Sequence, residues 1–329
     1  MALWTETYAP RTLDDVLQDD ARRMLGNVVE GHLNALLHGP PGSGKSAAAR
    51  VIAREEFGSE SQLVVLNARD FFGMTKDELV EDPRFEGFVT KKRARESSKA
   101  DLMTHVLKEL ASHGTVSGEE KLLLIDDADG MRRDFQQALR RVMETHADRT
   151  QFVLTARSVT ALIPPLVSRC VGVPVMAPEA DRIADRLRTI ADAENVPYDD
   201  AGIAALVDET GRNLRRAVLA LQRVSTTEDE VTAATVEAAL RDDGESLVDR
   251  MVAAAHRGEF TEAVDALDEL LIDEGYSGRE VLEAVVDDVE GERGLDPREV
   301  VAAVGDVEAG MQSGVNDRIH VESLLTRLD

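Results

Sequence analysis

The stretch L-N-A-L-L-H-G-P-P-G-S-G-K-S-A-A-A-R-V-I-A-R-E-E-F, residues 33–57, joins an apolar run to a helical pattern through a glycine-rich loop. The loop matches G-x-x-x-x-G-K-[ST] at every position, in the strand-then-helix context that this motif requires. Glycines let backbone N–H groups approach a phosphate, and the N-terminus of the following helix adds a favourable dipole. The sequence therefore predicts a phosphate-binding loop formed by Gly39, Pro40, Pro41, Gly42, Ser43, Gly44, Lys45 and Ser46.

The phosphate-binding loop and a second, acidic motif contain residues with expected chemical roles. Lys45 is expected to contact the outer phosphates of a nucleotide, and Ser46 to hold magnesium. In L-L-L-I-D-D-A-D-G, residues 122–130, a buried strand ends at Asp126, which is the second candidate magnesium ligand. Asp127 stands where a carboxylate could orient or deprotonate the attacking water, or could be only a solvated acid at a strand end.

Three further apolar runs, Q-L-V-V-L-N-A, K-L-L-L-I-D-D and Q-F-V-L-T-A-R, alternate with helical patterns. Such alternation predicts an α/β domain with a parallel sheet, over residues 1–172. Helical spacing then predicts two all-α domains, 173–241 and 242–329, with Gly258, Gly275 and Gly291 as helix stops. Residues 73–98 are the least regular part of the first domain and are expected to contain a long loop.

The chain is strongly acidic, with 63 Asp and Glu against 38 Lys and Arg and a net charge of −25. One interpretation is the surface of a halophilic protein, which works in concentrated salt. At 1 M salt the Debye length is ~3 Å, so repulsion between the acidic side chains is largely screened. The alternatives are an ordinary acidic protein or an acidic tail. Apolar residues alternate through the acidic region, which argues against a tail.

The sequence contains no signal for export or for a membrane. No apolar run approaches the ~20 residues of a span, and the start, M-A-L-W-T-E-T-Y-A-P, lacks a basic region followed by an apolar core. Cys170 is the only cysteine, so no internal disulfide can form. We therefore expect a cytoplasmic protein without membrane contact, in which Cys170 is a small buried residue rather than a reactive thiol.

Motifs along nearly the whole chain resemble one family, the small subunits of archaeal and eukaryotic replication factor C, which are clamp-loader ATPases of the AAA+ class. The similar stretches are the phosphate loop, L-W-T-E-T-Y-A-P-R-T-L-D-D-V at the start, N-A-R-D-F-F-G, I-D-D-A-D-G-M-R-R-D-F-Q-Q-A-L-R-R-V-M-E, L-I-P-P-L-V-S-R-C, G-R-N-L-R-R-A-V-L-A-L-Q, and N-D-R-I-H-V-E-S-L-L-T-R-L at the end. The resemblance implies an AAA+ nucleotide-binding domain, a helical lid and a helical collar used for oligomerisation.

The resemblance also implies roles for single residues. Tyr8 and Pro10 would lie against the adenine of ATP, and Arg215 would act as a second sensor that contacts the γ-phosphate. Arg169, in S-R-C, would be an arginine finger directed at the ATP of a neighbouring subunit, where it stabilises developing negative charge. The alternative for Arg169 is a surface salt bridge.

This chain also departs from the family pattern in residues near the nucleotide. Asp127 replaces the family's catalytic glutamate, and Arg157 aligns with the asparagine of the first sensor. Aspartate is one methylene shorter, and a misplacement of ~1 Å can cost ~100-fold in rate. The other departures are Ala9, Arg69 and the pair Phe71–Phe72. The pattern predicts a divergent, second type of small subunit, which binds ATP, supplies Arg169 to others and itself hydrolyses slowly.

The implied partners are the other small and large subunits of a replication factor C heteropentamer, the sliding clamp PCNA and primer–template DNA. Duplex DNA carries a negative charge every ~1.7 Å, so contact by this acidic chain requires local basic surface. K-K-R-A-R-E-S-S-K, residues 91–99, is one candidate, although it could be only a solvated basic loop. Two basic pairs, Arg132–Arg133 and Arg140–Arg141, are others.

Two alternative functions remain open at the level of sequence. One is another AAA+ DNA-remodelling ATPase, such as a Holliday-junction motor, but no winged-helix module is recognisable in the sequence. The other is a structural subunit of the clamp loader that binds ATP without hydrolysing it.

Overall fold

The structure is a computed structural model that describes residues 2–85, 87–90, 95–112, 120–273, 276, 278–289, 296–311 and 317–328. Within this part of the chain, no helix combines the length and the apolar character that a membrane span requires. The chain divides into two compact units. Unit 1 contains Met1–Ala9, Pro41–Ser43 and Ala177–Asp329, and unit 2 contains Pro10–Pro40 and Gly44–Met176.

A parallel sheet of five strands forms the centre of unit 2, in the spatial order β2-β3-β4-β1-β5. The strands are β1 (Ala35–His38), β2 (Leu63–Asn67), β3 (Lys121–Asp126), β4 (Thr150–Ala156) and β5 (Val171–Pro174). The parallel sheet predicted from the apolar runs is confirmed.

The described helices, in chain order, are α1 (Trp4–Thr7), α2 (Asp19–Gly31), α3 (Lys45–Phe57), α4 (Ala68–Gly73), α5 (Lys76–Glu81), α6 (Lys99–Ser112), α7 (Arg133–Thr145), α8 (Pro164–Val167), α9 (Ala180–Glu194), α10 (Asp200–Glu209), α11 (Leu214–Thr227), α12 (Ala233–His256), α13 (Phe260–Asp268), α14 (Gly278–Val289), α15 (Pro297–Met311) and α16 (Asp317–Leu325). Short 3₁₀ segments lie at Leu13–Asp15, Pro83–Phe85, Ala128–Gly130 and Val159–Ala161, and a π-helical turn at Glu269–Asp273.

The two faces of the sheet bury different apolar clusters, because successive side chains of a strand point to opposite faces. In β3, Leu123 and Ile125 belong to a cluster with α6 and α7, whereas Leu122 and Leu124 belong to a cluster with α2 and α3. Helix α3 faces the second cluster with small residues, including Ala48, Ala49 and Ala53, spaced on one helical face. Its N-terminus thereby lies beside the carboxyl ends of the strands.

The fifth strand was not predicted, and it runs to Pro174, past residue 172 where the sequence prediction ended the α/β domain. β5 is short and ends at Pro174. A proline normally argues against a strand, because it has no N–H group to donate to a neighbouring strand. Among the strands that the structure describes, β5 pairs only with β1 and is therefore an edge strand, where proline is tolerated.

Residues 73–98 were predicted to contain a long loop; the described part of this segment includes helix α5 and the 3₁₀ turn Pro83–Phe85, and residues 86 and 91–94 lie outside the described residues. A capping box begins α5, in which the Thr75 hydroxyl accepts from the Glu78 N–H and the Glu78 carboxylate accepts from the Thr75 N–H. Phe71, at a position of departure from the family, is buried in the same region. Phe72 stacks on Phe135 with ring centroids 4.3 Å apart. These departures contribute to packing.

Unit 1 has two apolar clusters. The first joins Trp4 to α9, α10, α11 and the beginning of α12, and the second joins the later part of α12 to α13–α16. The predicted boundary between residues 241 and 242 lies inside α12, and the predicted domain limits stay a prediction. Gly258 follows α12 with a positive φ of 72°, as predicted for a helix stop, whereas Gly275 and Gly291 lie outside the described residues.

Candidate nucleotide-binding site

The strand order of unit 2 brings the chemical residues together. β3, β4 and β1 are neighbours, and their carboxyl ends are Asp126, Ala156 and His38. In open parallel sheets, ligands bind outside the carboxyl ends of the strands. Asp126 and the loop that follows His38 therefore lie at the edge of the sheet where a ligand is expected.

Two glycines of the loop have backbone positions that exclude other residues. A side chain at Gly39 would place its Cβ 2.1 Å from the Val175 carbonyl oxygen, so the chain can pass there only without one. Gly44 has a φ of 97°, a conformation that strains residues with a Cβ, and it precedes the first turn of α3. The motif glycines at these two positions are thus required by backbone geometry.

Lys45 lies at the start of α3 and is buried, with 8% of its surface exposed. Its Nζ donates to the carbonyl oxygens of Gly39 at 3.0 Å and Pro40 at 2.7 Å. Burial lowers the pKa of Lys45, and the carboxylate of Asp127 opposes this shift. Phosphate oxygens are stronger acceptors than carbonyl oxygens for an ammonium group, so this side chain is held where a phosphate could bind.

Ser46 and Asp126 form the candidate metal site. The Ser46 hydroxyl lies 2.7 Å from Oδ1 and 3.0 Å from Oδ2 of Asp126, which joins α3 to the end of β3. Hydroxyl and carboxylate oxygens are ligands that suit magnesium, which binds through one or two carboxylates together with substrate phosphates. The donor atoms therefore fit the predicted magnesium ion.

Asp127 adopts a left-handed conformation with a φ of 52°, which is uncommon for a residue other than glycine. Its Oδ2 accepts from the Asn67 amide at 3.4 Å, and its backbone N–H donates to the Thr155 hydroxyl at 2.9 Å. Its carboxylate also acts electrostatically on the Lys45 ammonium. The structure thus places Asp127 with the candidate site residues, and its role in hydrolysis stays a prediction.

Arg157 follows β4 directly, and its backbone N–H donates to Asp129 Oδ2 at 3.0 Å. Its guanidinium lowers the pKa of Lys45, after the larger effect of burial, which places a second cation near the phosphate loop. Asp129 acts in the opposite direction. The position expected for an uncharged first sensor therefore carries a positively charged residue, whose backbone N–H is held by Asp129.

Arg169 forms a hydrogen-bonded ion pair with Glu144 of α7 and also donates to the carbonyl oxygen of Pro165. This ion pair agrees with the alternative interpretation of Arg169 as a surface salt bridge. The Arg169 side chain remains 32% exposed. Its role as a finger stays a prediction. The neighbouring thiol, Cys170, is partly buried, and burial raises its pKa to about 12, as suits a packing residue.

The remaining predicted residues are divided between the units. In unit 2, the Pro10 carbonyl oxygen accepts from Arg54 at 2.7 Å. In unit 1, the Tyr8 hydroxyl donates to Glu194 at 2.6 Å, and the Arg215 N–H donates to the carbonyl oxygen of Gly42 at 3.3 Å. Their predicted contacts with adenine and γ-phosphate stay predictions.

The predicted basic surface is only partly described. Residues 91–94 lie outside the described residues, and the Lys99 ammonium donates to the carbonyl oxygens of Phe72 and Gly73. Arg132 pairs with Asp134 at 3.0 Å, and Arg140 lies 3.9 Å from Glu144. DNA contact by these segments stays a prediction.

Sequence reasoning missed Thr155, whose hydroxyl donates to Asp126 Oδ1 at 2.5 Å. The signal available was a single hydroxyl residue in an otherwise apolar strand interior, F-V-L-T-A, residues 152–156. It is unspecific, because threonine is common in strands for packing reasons.

Two family models match this chain, one in the sheet domain and one in the C-terminal helices. Residues 35–173 match the AAA family, described as ATPases associated with various cellular activities, and residues 245–327 match the replication factor C C-terminal domain. The first match covers the sheet from β1 nearly to the end of β5 together with the phosphate loop and Asp126, and the second covers the C-terminal half of α12 and the helices after it.

Curated relatives match over nearly the whole chain. A replication factor C small subunit of Methanocella arvoryzae is 30% identical over 98% of this chain and 95% of its own length. That of Archaeoglobus fulgidus is 29% identical, covering 99% and 97%. Replication factor C small subunit 2 of Pyrobaculum arsenaticum is 33% identical, covering 85% and 80%.

Solved structures support the fold alone. The RuvB Holliday junction branch migration motor of Thermotoga maritima aligns with a TM-score of 0.54 at 17% identity, covering 98% of this chain and 90% of RuvB. A RuvB mutant from the same organism aligns with a TM-score of 0.56 at 16% identity. Taken with the site geometry and the near-complete matches to archaeal relatives, these findings show that the chain belongs to the replication factor C small-subunit family of AAA+ clamp-loader ATPases.

Proposed function

We propose that this chain binds ATP and magnesium as a small subunit of a clamp loader, which places a sliding clamp on primed DNA during replication. The observation that carries the proposal is the joint placement of Lys45, Ser46 and Asp126 beside the carboxyl ends of β1 and β3. The full-length similarity to named replication factor C small subunits supports the same assignment.

Each group at the site has a chemical task in this proposal. The Lys45 ammonium neutralises the outer phosphates, while Ser46 and Asp126 hold the magnesium ion, which supplies charge stabilisation to the phosphates when bound. Asp127 orients the attacking water. Arg169 exchanges its pairing with Glu144 for the ATP of a neighbouring subunit, where it stabilises negative charge.

Slow hydrolysis is the second part of the proposal. The carboxylate of Asp127 is held at the end of a side chain shorter than glutamate, and it accepts from Asn67 at 3.4 Å. Arg157 carries a charge where the family has a neutral amide that helps to position water. Both changes act on the attacking water rather than on the groups that hold the nucleotide.

The proposed partners are the sister small and large subunits, the clamp PCNA and primer–template DNA. The names of the relatives support a multisubunit clamp loader. A different AAA+ remodelling ATPase is the second candidate, and only the fold likeness to RuvB favours it. A structural, non-hydrolysing subunit would share every feature of ATP binding and would differ in turnover alone.

Nucleotide binding is tested with a fluorescent ATP analogue and the full chain. We expect Lys45→Ala to abolish binding, while Lys108→Ala, a change at an exposed lysine of α6, leaves it intact. Unchanged affinity in Lys45→Ala would contradict the proposed site. Partners are tested by co-purification of the tagged chain with sister subunits and clamp, and a chain that captures neither would contradict the clamp-loader assignment.

A further inference from the structure

Thr155 is a fully buried hydroxyl residue near the carboxyl end of β4. It pairs with Leu37 of β1, and its neighbour Leu154 pairs with Ile125 of β3, one residue before Asp126. Alternation along the strand puts Thr155 on the face of Val153, which packs in the cluster with α3. Asp126 similarly shares a face with Leu124 of that cluster. Thr155 and Asp126 therefore meet on the side of the sheet that carries the phosphate-loop helix.

The hydroxyl of Thr155 makes two hydrogen bonds in opposite directions. It donates to Asp126 Oδ1 at 2.5 Å and accepts from the backbone N–H of Asp127 at 2.9 Å. A hydroxyl has one proton to donate. Because a carboxylate accepts but does not donate, that proton points to Asp126 and the oxygen lone pairs face Asp127. The rotation of the hydroxyl is thus fixed by its two partners.

The contact with Asp127 is made at a strained point of the backbone. A non-glycine residue at a φ of 52° costs free energy and persists only where the surroundings hold it. The left-handed turn interrupts the extended geometry of β3, in which consecutive side chains would point to opposite faces. The hydrogen bond from the Asp127 N–H to Thr155 is one of the contacts that hold this turn.

We propose that Thr155 is a positioning residue that fixes both acids of the nucleotide site, the metal-holding carboxylate of Asp126 and the turned backbone of Asp127. It touches neither the nucleotide nor the metal, and acts only through these two residues. The inference rests on the proposed function, since it assigns Asp126 to magnesium. Residues that orient a metal ligand from behind typically affect metal affinity by ~10–100-fold.

A buried threonine can also serve packing alone, and the same strand offers a matched control. Thr150, at the start of β4, is 2% exposed, and its hydroxyl donates to the carbonyl oxygen of Ala111 at 2.9 Å. Thr150→Val and Thr155→Val each remove one buried hydroxyl from β4 and preserve the side-chain shape. Only Thr155→Val removes a contact to Asp126.

The experiment measures binding of a fluorescent ATP analogue by the full chain, first in EDTA and then in a magnesium titration. We expect Thr155→Val to raise the magnesium concentration at half-maximal effect about tenfold or more, with metal-free affinity unchanged. Thr155→Ser, which keeps the hydroxyl, should restore the wild-type midpoint. Thr150→Val should lose thermal stability without moving the midpoint.

The outcomes separate this inference from the proposed function. Wild-type protein that binds no nucleotide would contradict the proposed function. Wild-type binding together with an unmoved midpoint in Thr155→Val, or an equal shift in Thr150→Val, would overturn the positioning role alone. If Thr155→Val does not fold, Thr155→Ala removes the same hydroxyl with a smaller side chain and is read in the same way.

Discussion

Restoring the two departures at the attacking-water position should raise the rate of ATP hydrolysis. The change is Asp127→Glu combined with Arg157→Asn in the full chain. The N–H bond from residue 127 to Thr155 does not involve the side chain that changes, so this contact to the left-handed turn is retained in the variant. Lys45, Ser46 and Asp126 are untouched, so ATP affinity should stay the same.

The expected magnitude follows from the reach of the acid. Adding one methylene moves a carboxylate by about 1.5 Å, one carbon–carbon bond. Since a misplacement of ~1 Å can cost ~100-fold, we expect turnover to rise by roughly 10–100-fold, or about 1.4–2.7 kcal/mol of transition-state stabilisation.

The assay is steady-state phosphate release by complexes reconstituted with clamp and primed DNA. Every other subunit carries alanine at its phosphate-loop lysine, so that the signal comes from this chain alone. Each single variant is a control, and either alone should do little because a base that reaches the water still needs the water oriented. Wild-type turnover equal to that of the double variant would show that Asp127 suffices and would refute slow hydrolysis.

Three further predictions concern nucleotide binding, the neighbouring subunit and salt. Lys45→Ala should abolish ATP binding, measured by fluorescence, because the loop loses its only side-chain cation. Arg169→Ala should leave this chain's ATP affinity intact and lower turnover of the assembled complex, by up to the 10³–10⁵-fold that arginine fingers supply. The melting temperature should rise with potassium chloride between dilute and molar concentrations, since screening relieves repulsion in a chain of net charge −25.

Distinct results would contradict these predictions. If Lys45→Ala bound ATP with wild-type affinity, the phosphate loop would not be the nucleotide-binding site. Loss of turnover confined to the isolated Arg169→Ala chain would show that this arginine acts within its own subunit, where it pairs with Glu144. A melting temperature independent of salt would refute the interpretation of the acidic surface as an adaptation to concentrated salt.

Local patterns predicted most of the sheet and the phosphate site. Residues 33–57 predicted β1, the loop and α3 because a contiguous motif determines all three. Strand β5 and helix α5 were not predicted. Strand β5 contains Pro174, which a strand tolerates at the edge of a sheet. Helix α5 is short and depends on its N-terminal cap at Thr75.

The connection between Asp126 and Thr155 could not be predicted from the sequence. The residues are 29 positions apart and meet only through the register of β3 with β4. The left-handed turn at Asp127 is likewise set by tertiary contacts, because aspartate tolerates this conformation better than most residues but the sequence does not show which aspartate adopts it. Similarly, the pairing of Arg169 with Glu144 depends on how α7 packs beside α8.

The burial of Cys170 has a practical consequence for experiments on assembled complexes. Burial raises the pKa of the Cys170 thiol to about 12, so far less of it is present as the reactive thiolate at neutral pH than for an exposed cysteine. Because the chain has no other cysteine, a single introduced surface cysteine would react with maleimide dyes far faster than the native thiol. Site-specific fluorescent labelling therefore needs no prior replacement of Cys170, so the residue beside Arg169 can stay native in the labelled protein.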